Sequence, residues 1–173
     1  REEFDGSAWA RIARSHLGGL PPEVDLKAEV ALGNVVRALS AADGPDGRPL
    51  VRAAHDLSNG GLVQSLVDSA LRFGIGGVFD VAGAARRDCV GDHEMLLSES
   101  QARAFVAVPE AAVKAVFAAA EAEGVDAVRI GTTGGDMLAI SGVDLLAAEG
   151  EGCGWIASID ELRALSETGR NYF

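Results

Sequence analysis

Two short polar stretches hold most of the residues that could do chemistry. The first is His55-Asp56-Leu57-Ser58-Asn59-Gly60-Gly61, set between an apolar run at residues 50–54 and an amphipathic run at residues 62–72. A pair of glycines at the mouth of a helix lets the backbone approach another group closely, and the unpaired N–H groups of a first helical turn attract an anion. Simple capping by Ser58 or Asn59, with Gly60 and Gly61 only making the turn, accounts for the same residues. The second stretch is Ser98-Glu99-Ser100-Gln101, directly before an apolar run at residues 102–108. Two hydroxyls, a carboxylate and an amide supply donors and acceptors suited to a polar ligand, and equally to an ordinary hydrogen-bonded loop. His55 and Asp56 form a possible polar site at a strand end, where α/β proteins commonly place ligands; a histidine bonded within its own turn is the plain alternative.

Other combinations carry less. Cys89 and His93 are four residues apart in a segment of uncertain pattern, too weak a basis for a nucleophile and its base. Asp92, His93 and Glu94 are consecutive, and consecutive side chains rarely converge on one ion. Cys89 and Cys153 show no CxxC spacing. Gly131-Thr132-Thr133-Gly134-Gly135-Asp136 resembles a phosphate cradle only in its glycines, because it has neither a lysine nor a following helix. No catalytic residue and no metal ligand is therefore assigned.

The elements that must position the two stretches follow from periodicity. Residues 50–54 read as a buried strand, and Leu62, Val63, Leu66, Val67, Ala70 and Leu71 share one helical face after it. Upstream, Ser7 caps a helix over 8–17 with Trp9, Ile12 and Ala13 as its apolar side, stopped by Gly18 and Gly19; His16 suits its negative end. Asp25 caps a second helix to Ser40, with Ala28, Ala31, Leu32, Val35, Val36 and Leu39 on one face. Downstream, 78–81 reads as a strand, 82–92 follows no clear pattern, Arg86-Arg87-Asp88 reads as a solvated bend, and 102–108 reads as a central strand covered on both faces. Pro109 opens a helix ending at Gly124, with Val113, Val116, Phe117 and Ala120 inward. Strands at 127–130 and 137–140 then form a hairpin, 145–155 is irregular, and the capping box Ser158 to Glu161 opens a closing helix with Ile159, Leu162 and Leu165 as its apolar side. The pattern predicts an α/β (α+β) fold, a mixed β-sheet covered by helices.

Composition sets the outer bounds. With 173 residues and 48% hydrophobic content the chain suits one domain, 1–173, with mobile ends at 1–6 and 169–173. A net charge of −11 disfavours nucleic acid and anionic membranes as partners, though backbone amides can still hold a phosphate locally. The absence of a signal-peptide core or long apolar run, with two widely spaced cysteines, predicts a cytoplasmic protein.

Four motifs in order carry a resemblance. Residues 18–26 (Gly18-Gly19-Leu20-Pro21-Pro22-Glu23-Val24-Asp25-Leu26), 54–62 around His55 and Gly61, 97–103 around Glu99, and 130–135 resemble phosphoribosylformylglycinamidine synthase, of the aminoimidazole-ribonucleotide-synthase superfamily. The resemblance runs from about Gly6 to Leu165 and implies a carboxy-terminal domain of that superfamily, a piece of a larger synthase. It implies a purine-biosynthesis ligase that converts formylglycinamide ribonucleotide, ATP and glutamine-derived ammonia to the amidine, with ATP and Mg2+ held mainly by another domain. Amino-terminal domains of the same synthase, a glutaminase subunit and a small subunit are the implied partners. The synthase contains this domain pair twice, and the His55-Asp56 form with the Pro21-Pro22 connector resembles the second copy. There, Ser98, Glu99, Ser100 and Gln101, with Ser58, Asn59, Gly60 and Gly61, would line a substrate or phosphate site that is auxiliary or structural. Asn59 stands where the family often has aspartate, and Leu97 where it often has phenylalanine. The isolated chain is expected to be inactive. Two alternatives remain: a sister ATP-dependent enzyme such as aminoimidazole ribonucleotide synthase, selenophosphate synthetase or thiamine-phosphate kinase, and a non-catalytic scaffold domain.

Overall fold

A computed structural model describes residues 4–142 and 154–169 of the chain. Seven α-helices and six strands appear among them, in the order α1 (Ala8–Arg14), α2 (Leu26–Ser40), β1 (Ala53–Asp56), α3 (Gly61–Phe73), β2 (Gly77–Asp80), α4 (Ala82–Asp88), α5 (Asp92–Leu97), β3 (Ala104–Ala107), α6 (Val113–Ala122), β4 (Gly131–Thr133), β5 (Met137–Ser141), β6 (Gly154–Ser158) and α7 (Ile159–Gly169). The fold is the expected mixture of sheet and covering helices. Its strands form two sheets: β1 pairs with β3 alone, and the other four lie in the order β4-β2-β5-β6.

The larger sheet buries one face. Leu138 and Ile140 of β5, Phe79 of β2 and Ala157 of β6 meet Leu62, Leu66 and Ala70 of α3 and Leu162 of α7 in the main core. Alternation sends Val78 and Ile156 the other way, where they are 63% and 62% exposed. A smaller cluster joins Val35 and Leu39 of α2 to Leu50 and Ala112. Three caps expected from sequence are formed as such: Ser7 Oγ accepts from the Ala10 N–H, Asp25 Oδ1 accepts from the N–H groups of Lys27 and Ala28, and Ser158 and Glu161 make the reciprocal capping box.

Several expectations are corrected. The strand before the first polar stretch spans Ala53–Asp56, not 50–54, because pairing with β3 fixes it: Ala53 lies opposite Ala107 and His55 opposite Phe105. Leu50 is apolar for a different reason, filling the smaller cluster. The strand β3 is not central among the described residues, since β1 is its one partner there. Residues 127–130 form no strand, and β4 and β5 are not a hairpin; both pair with β2, β4 antiparallel and β5 parallel. The central position of β2 lets the backbone groups of both neighbours be satisfied without a tight turn between them.

The helices differ mainly at their ends. The first stops at Arg14 because Ser15 turns left-handed at φ 51°, and the His16 N–H returns to the Ala10 carbonyl at 3.1 Å; Ile12 is 68% exposed. His16 thus lies beyond the last turn. Residues 82–92 contain α4 and the start of α5, both too short for a clear 3.6 period. Arg86, Arg87 and Asp88 close α4, where Arg87 Nε pairs with Asp88 Oδ1 at 2.5 Å. A 3₁₀ turn, Glu110–Ala112, precedes α6, and Phe117 on that helix and Leu165 on α7 are exposed. Strand β6 overlaps the stretch expected to be irregular; its residues 145–153 lie outside the described residues, as do 1–3 and 170–173.

The two sheet faces should respond differently to truncation. Leu138→Ala, at 1% exposure, should cost about 2–5 kcal/mol in urea unfolding. Ile156→Ala on the open face should cost about 1 kcal/mol or less. Equal losses would contradict the one-sided core.

Candidate functional site

The two polar stretches meet. At the head of α3, Gly60 and Gly61 are both left-handed, with φ of 78° and 68°. A Cβ on Gly61 would lie 2.7 Å from the Leu96 carbonyl oxygen, 2.8 Å from the Leu97 carbonyl carbon and 2.8 Å from the Ser98 carbonyl oxygen. The backbone of the first stretch therefore rests directly on that of the second. Close approach, and not turn geometry alone, requires a glycine here.

Glu99 joins them electrostatically. Its Oε1 accepts from the Gly60 N–H at 2.8 Å and from the Ala8 N–H, the first residue of α1, also at 2.8 Å. On either side of it, Ser98 and Ser100 are 1% and 4% exposed, and their hydroxyls bond each other at 2.8 Å. The Ser100 N–H also reaches Ser98 Oγ at 3.3 Å. Arg103 donates from Nη2 to the Ser98 carbonyl and from Nε to the Ser100 carbonyl at 3.2 Å. From the opposite side, Glu29 of α2 accepts the Ala102 N–H at 2.8 Å, holding that residue at a φ of 57°. Ser65, buried in α3, donates its hydroxyl to the Asp56 carbonyl at 2.8 Å and the Gly61 carbonyl at 2.9 Å, tying helix to strand.

The remaining candidates form a rim. Ser58, Asn59 and Gln101 are exposed. His55 Nδ1 lies 2.6 Å from the Asp56 carbonyl oxygen, where Nδ1–H donates, and its ring stacks on Phe105 with centroids 6.0 Å apart. A hydrogen bond from Ser58 holds the Asp56 carboxyl below its ordinary range, with a smaller contribution from the neighbouring His55. The structure thus brings Gly60, Gly61, Ser98, Glu99 and Ser100 into one packed unit, with Ser58, Asn59, Gln101, His55 and Asp56 toward solvent or half-buried beside it. Glu29, Ser65 and Arg103 are the supporting residues that sequence reasoning missed. Only Arg103 carries a local signal, as the last residue of the 97–103 motif.

Among the described residues no group of three or more His, Cys, Asp or Glu side chains is arranged to hold an ion. A cavity of about 590 Å³ is lined by apolar residues such as Val35, Leu66, Phe79 and Phe105 together with charged ones, including Arg52 and the site's Arg103, while Ser58, Asn59, Ser98 and Gln101 do not line it. No helix of the described residues is long and apolar enough to cross a membrane.

This architecture defines an α/β domain whose strand–turn–helix unit is docked on a Ser-Glu-Ser-Gln turn. Residues 2–141 match the family described as AIR synthase related protein, C-terminal domain, and the chain belongs to that family. It is 44% identical over 142 residues to the phosphoribosylformylglycinamidine synthase subunit PurL of a Nocardioides species, covering 82% of this chain and 17% of that one. It is 45% identical over 133 residues to the subunit of the same name from Leifsonia xyli subsp. xyli, covering 77% and 16%. The chain thus spans about a sixth of the length of these curated relatives. Among solved structures it resembles PurLQS from Thermotoga maritima, with a TM-score of 0.63, 16% identity, and coverage of 86% of this chain and 23% of that one. It also resembles T. maritima PurL complexed with ATP, with a TM-score of 0.52, 16% identity, and coverage of 65% and 19%. At that identity the likeness supports the fold.

Two outcomes follow from this geometry. Gly61→Ala should destabilise by well over the roughly 1 kcal/mol expected for Gly47→Ala, because both are left-handed but Gly47 has nothing within 4 Å; equal urea midpoints would refute the close approach. Asp56 has a folded pKa below its ordinary 3.8, so its contribution is fully present above that value and is lost as pH falls through the lower folded value. The stability gap between wild type and Asp56→Asn should therefore be constant from neutral pH down to mild acid and close only below 3.8. A gap that closes near neutrality would contradict the assignment.

Proposed function

We propose that this chain is the carboxy-terminal domain of an AIR-synthase-type unit in an ATP-dependent phosphoribosylformylglycinamidine synthase. The reaction served is the conversion of formylglycinamide ribonucleotide to its amidine: ATP phosphorylates the substrate amide oxygen, ammonia derived from glutamine attacks the activated carbon, and phosphate leaves. The observation that carries the reading is the 44% identity to a PurL subunit over 142 residues that include both docked turns. Among the family's enzymes, the turn Leu97-Ser98-Glu99-Ser100-Gln101 and the connector Pro21-Pro22 favour this synthase over aminoimidazole ribonucleotide synthase and selenophosphate synthetase.

The domain's own part is to hold a wall beside an auxiliary or structural nucleotide site, with residues 1–173 acting as one unit of a longer protein. Ser98, Glu99, Ser100, Gly60 and Gly61 form the rigid base of that wall, since their polar groups bond within the protein. Ser58, Asn59, Gln101, His55 and Asp56 form the rim that a polar group of a ligand or neighbouring domain would meet. Catalysis in such an enzyme rests on positioning and on neutralising phosphate charge. On the family resemblance, ATP and Mg2+ are assigned mainly to other domains of the synthase. The partners of this reading are those domains, a glutaminase subunit and a small subunit, in the cytoplasm; a PurLQS assembly is the subject of the Thermotoga structure this fold resembles.

A segment exchange tests the proposal. The Nocardioides PurL subunit, with its matched segment replaced by this chain, should restore purine-independent growth to a bacterium lacking its own synthase and should form the amidine with ATP. A chimera that is soluble, full-length and bound to its partner subunits, yet inactive in both assays, would overturn it.

A further inference from the structure

The geometry points to Glu99 as a built-in anion: a positioning residue whose carboxylate occupies the head of α3, clamps α1 to it and leaves the Gly60 amide closed to an outside phosphate. This deepens the reading of the two turns as a wall, and its test is independent of whether that wall serves purine synthesis.

The head of a helix carries N–H groups with no intrahelical acceptor and a partial positive charge, which an anion satisfies. Here one oxygen of Glu99 does so for two backbone amides remote in sequence, Gly60 and Ala8, each at 2.8 Å. A carboxylate accepting from N–H groups makes bonds roughly twice as strong as a neutral acceptor does. The spot is also confined. The Gly61 backbone touches the carbonyls of Leu96 and Ser98, and Ser7, which caps α1 by accepting the Ala10 N–H at 3.1 Å, is 1% exposed. Trp9 meets the His93 ring of α5 edge-on with centroids 5.9 Å apart, so α1 is seated on the same side of the domain by a second contact. A phosphate could reach the Gly60 N–H only by displacing Glu99, which would release α1 as well and bring its own negative charge beside that carboxylate.

The ligand class that this copy rejects at the α3 head is therefore a phosphoryl group. Any ligand recognition is left to the rim of Ser58, Asn59 and Gln101. The residue Glu99, which by motif alone counts with the ligand-binding set, acts through the backbone of two other elements.

Amide-resolved hydrogen exchange on the 173-residue chain, with inorganic phosphate as the probe, tests this. In the wild type, phosphate should shift neither the Gly60 nor the Ala8 amide signal. Glu99→Ala should speed exchange of both amides together, on the order of tenfold, while amides of β5 stay protected. Glu99→Gln keeps an acceptor and drops the charge, so it should fall between the two. A phosphate-dependent shift of Gly60 in the wild type would overturn the proposal. So would a response of only one of the two amides in either variant, or wild-type exchange in Glu99→Gln, which decides the matter by itself if Glu99→Ala does not fold.

Discussion

The contact on which the rest of the molecule depends is the bare backbone of Gly61 lying against the carbonyls at the end of α5. With no side chain between them, α3 can enter the core directly behind the turn and place Leu62, Leu66 and Ala70 against β5 and β2. The same approach brings the 98–101 turn within reach of the α3 head, so that Glu99 can bond there. It also sets the start of β3, whose pairing with β1 fixes where the preceding strand begins and ends. One steric allowance thus determines the seat of a helix, the path of a turn and the register of a two-stranded sheet.

Electrostatics then hardens what sterics permits. In a chain of net charge −11, a carboxylate directed inward adds to an existing excess and requires compensation. Glu99 finds it in helix-head amides and Glu29 in the Ala102 N–H, so backbone dipoles do the work that scarce cations would otherwise do. Arg103 contributes the complementary half, covering the carbonyls of Ser98 and Ser100 that the turn leaves pointing at it. The turn is held from three directions by charged groups, each satisfied by main-chain atoms.

How much of this was legible in the sequence depended on the range of the force involved. Local chemistry was readable: Asp25 and the Ser158–Glu161 pair cap their helices as their spacing requires, and the 3.6 period of α2 and α3 marks their buried faces. Pairing between distant segments was not. Nothing near residues 50–56 tells that His55 will lie opposite Phe105, so the apolar Leu50 reads as part of the strand; nothing near 127–140 tells that β2 will separate two strands that look like a hairpin. Of the site, both turns were visible as polar stretches and their family was visible in four ordered motifs. Their mutual contact was hidden, because the need for glycine at 61 arises from atoms more than thirty residues away.

That hidden contact separates what a motif identifies from what it does. Ser98, Glu99, Ser100 and Gln101 mark the chain as a member of its family however their atoms are used. Here two hydroxyls bond each other, two carbonyls accept from Arg103, and one carboxylate oxygen accepts from two helix heads. A backbone N–H already bonded within the protein, such as that of Gly60 or Ala8, serves a ligand only by first giving up that bond, and the buried partner left behind costs about 1–3 kcal/mol. An exposed amide or hydroxyl, such as those of Gln101, Asn59 and Ser58, gives up only water. Membership of the family is thus written in a turn whose Ser98, Glu99 and Ser100 are bonded within the protein, with Gln101 alone of the four facing solvent.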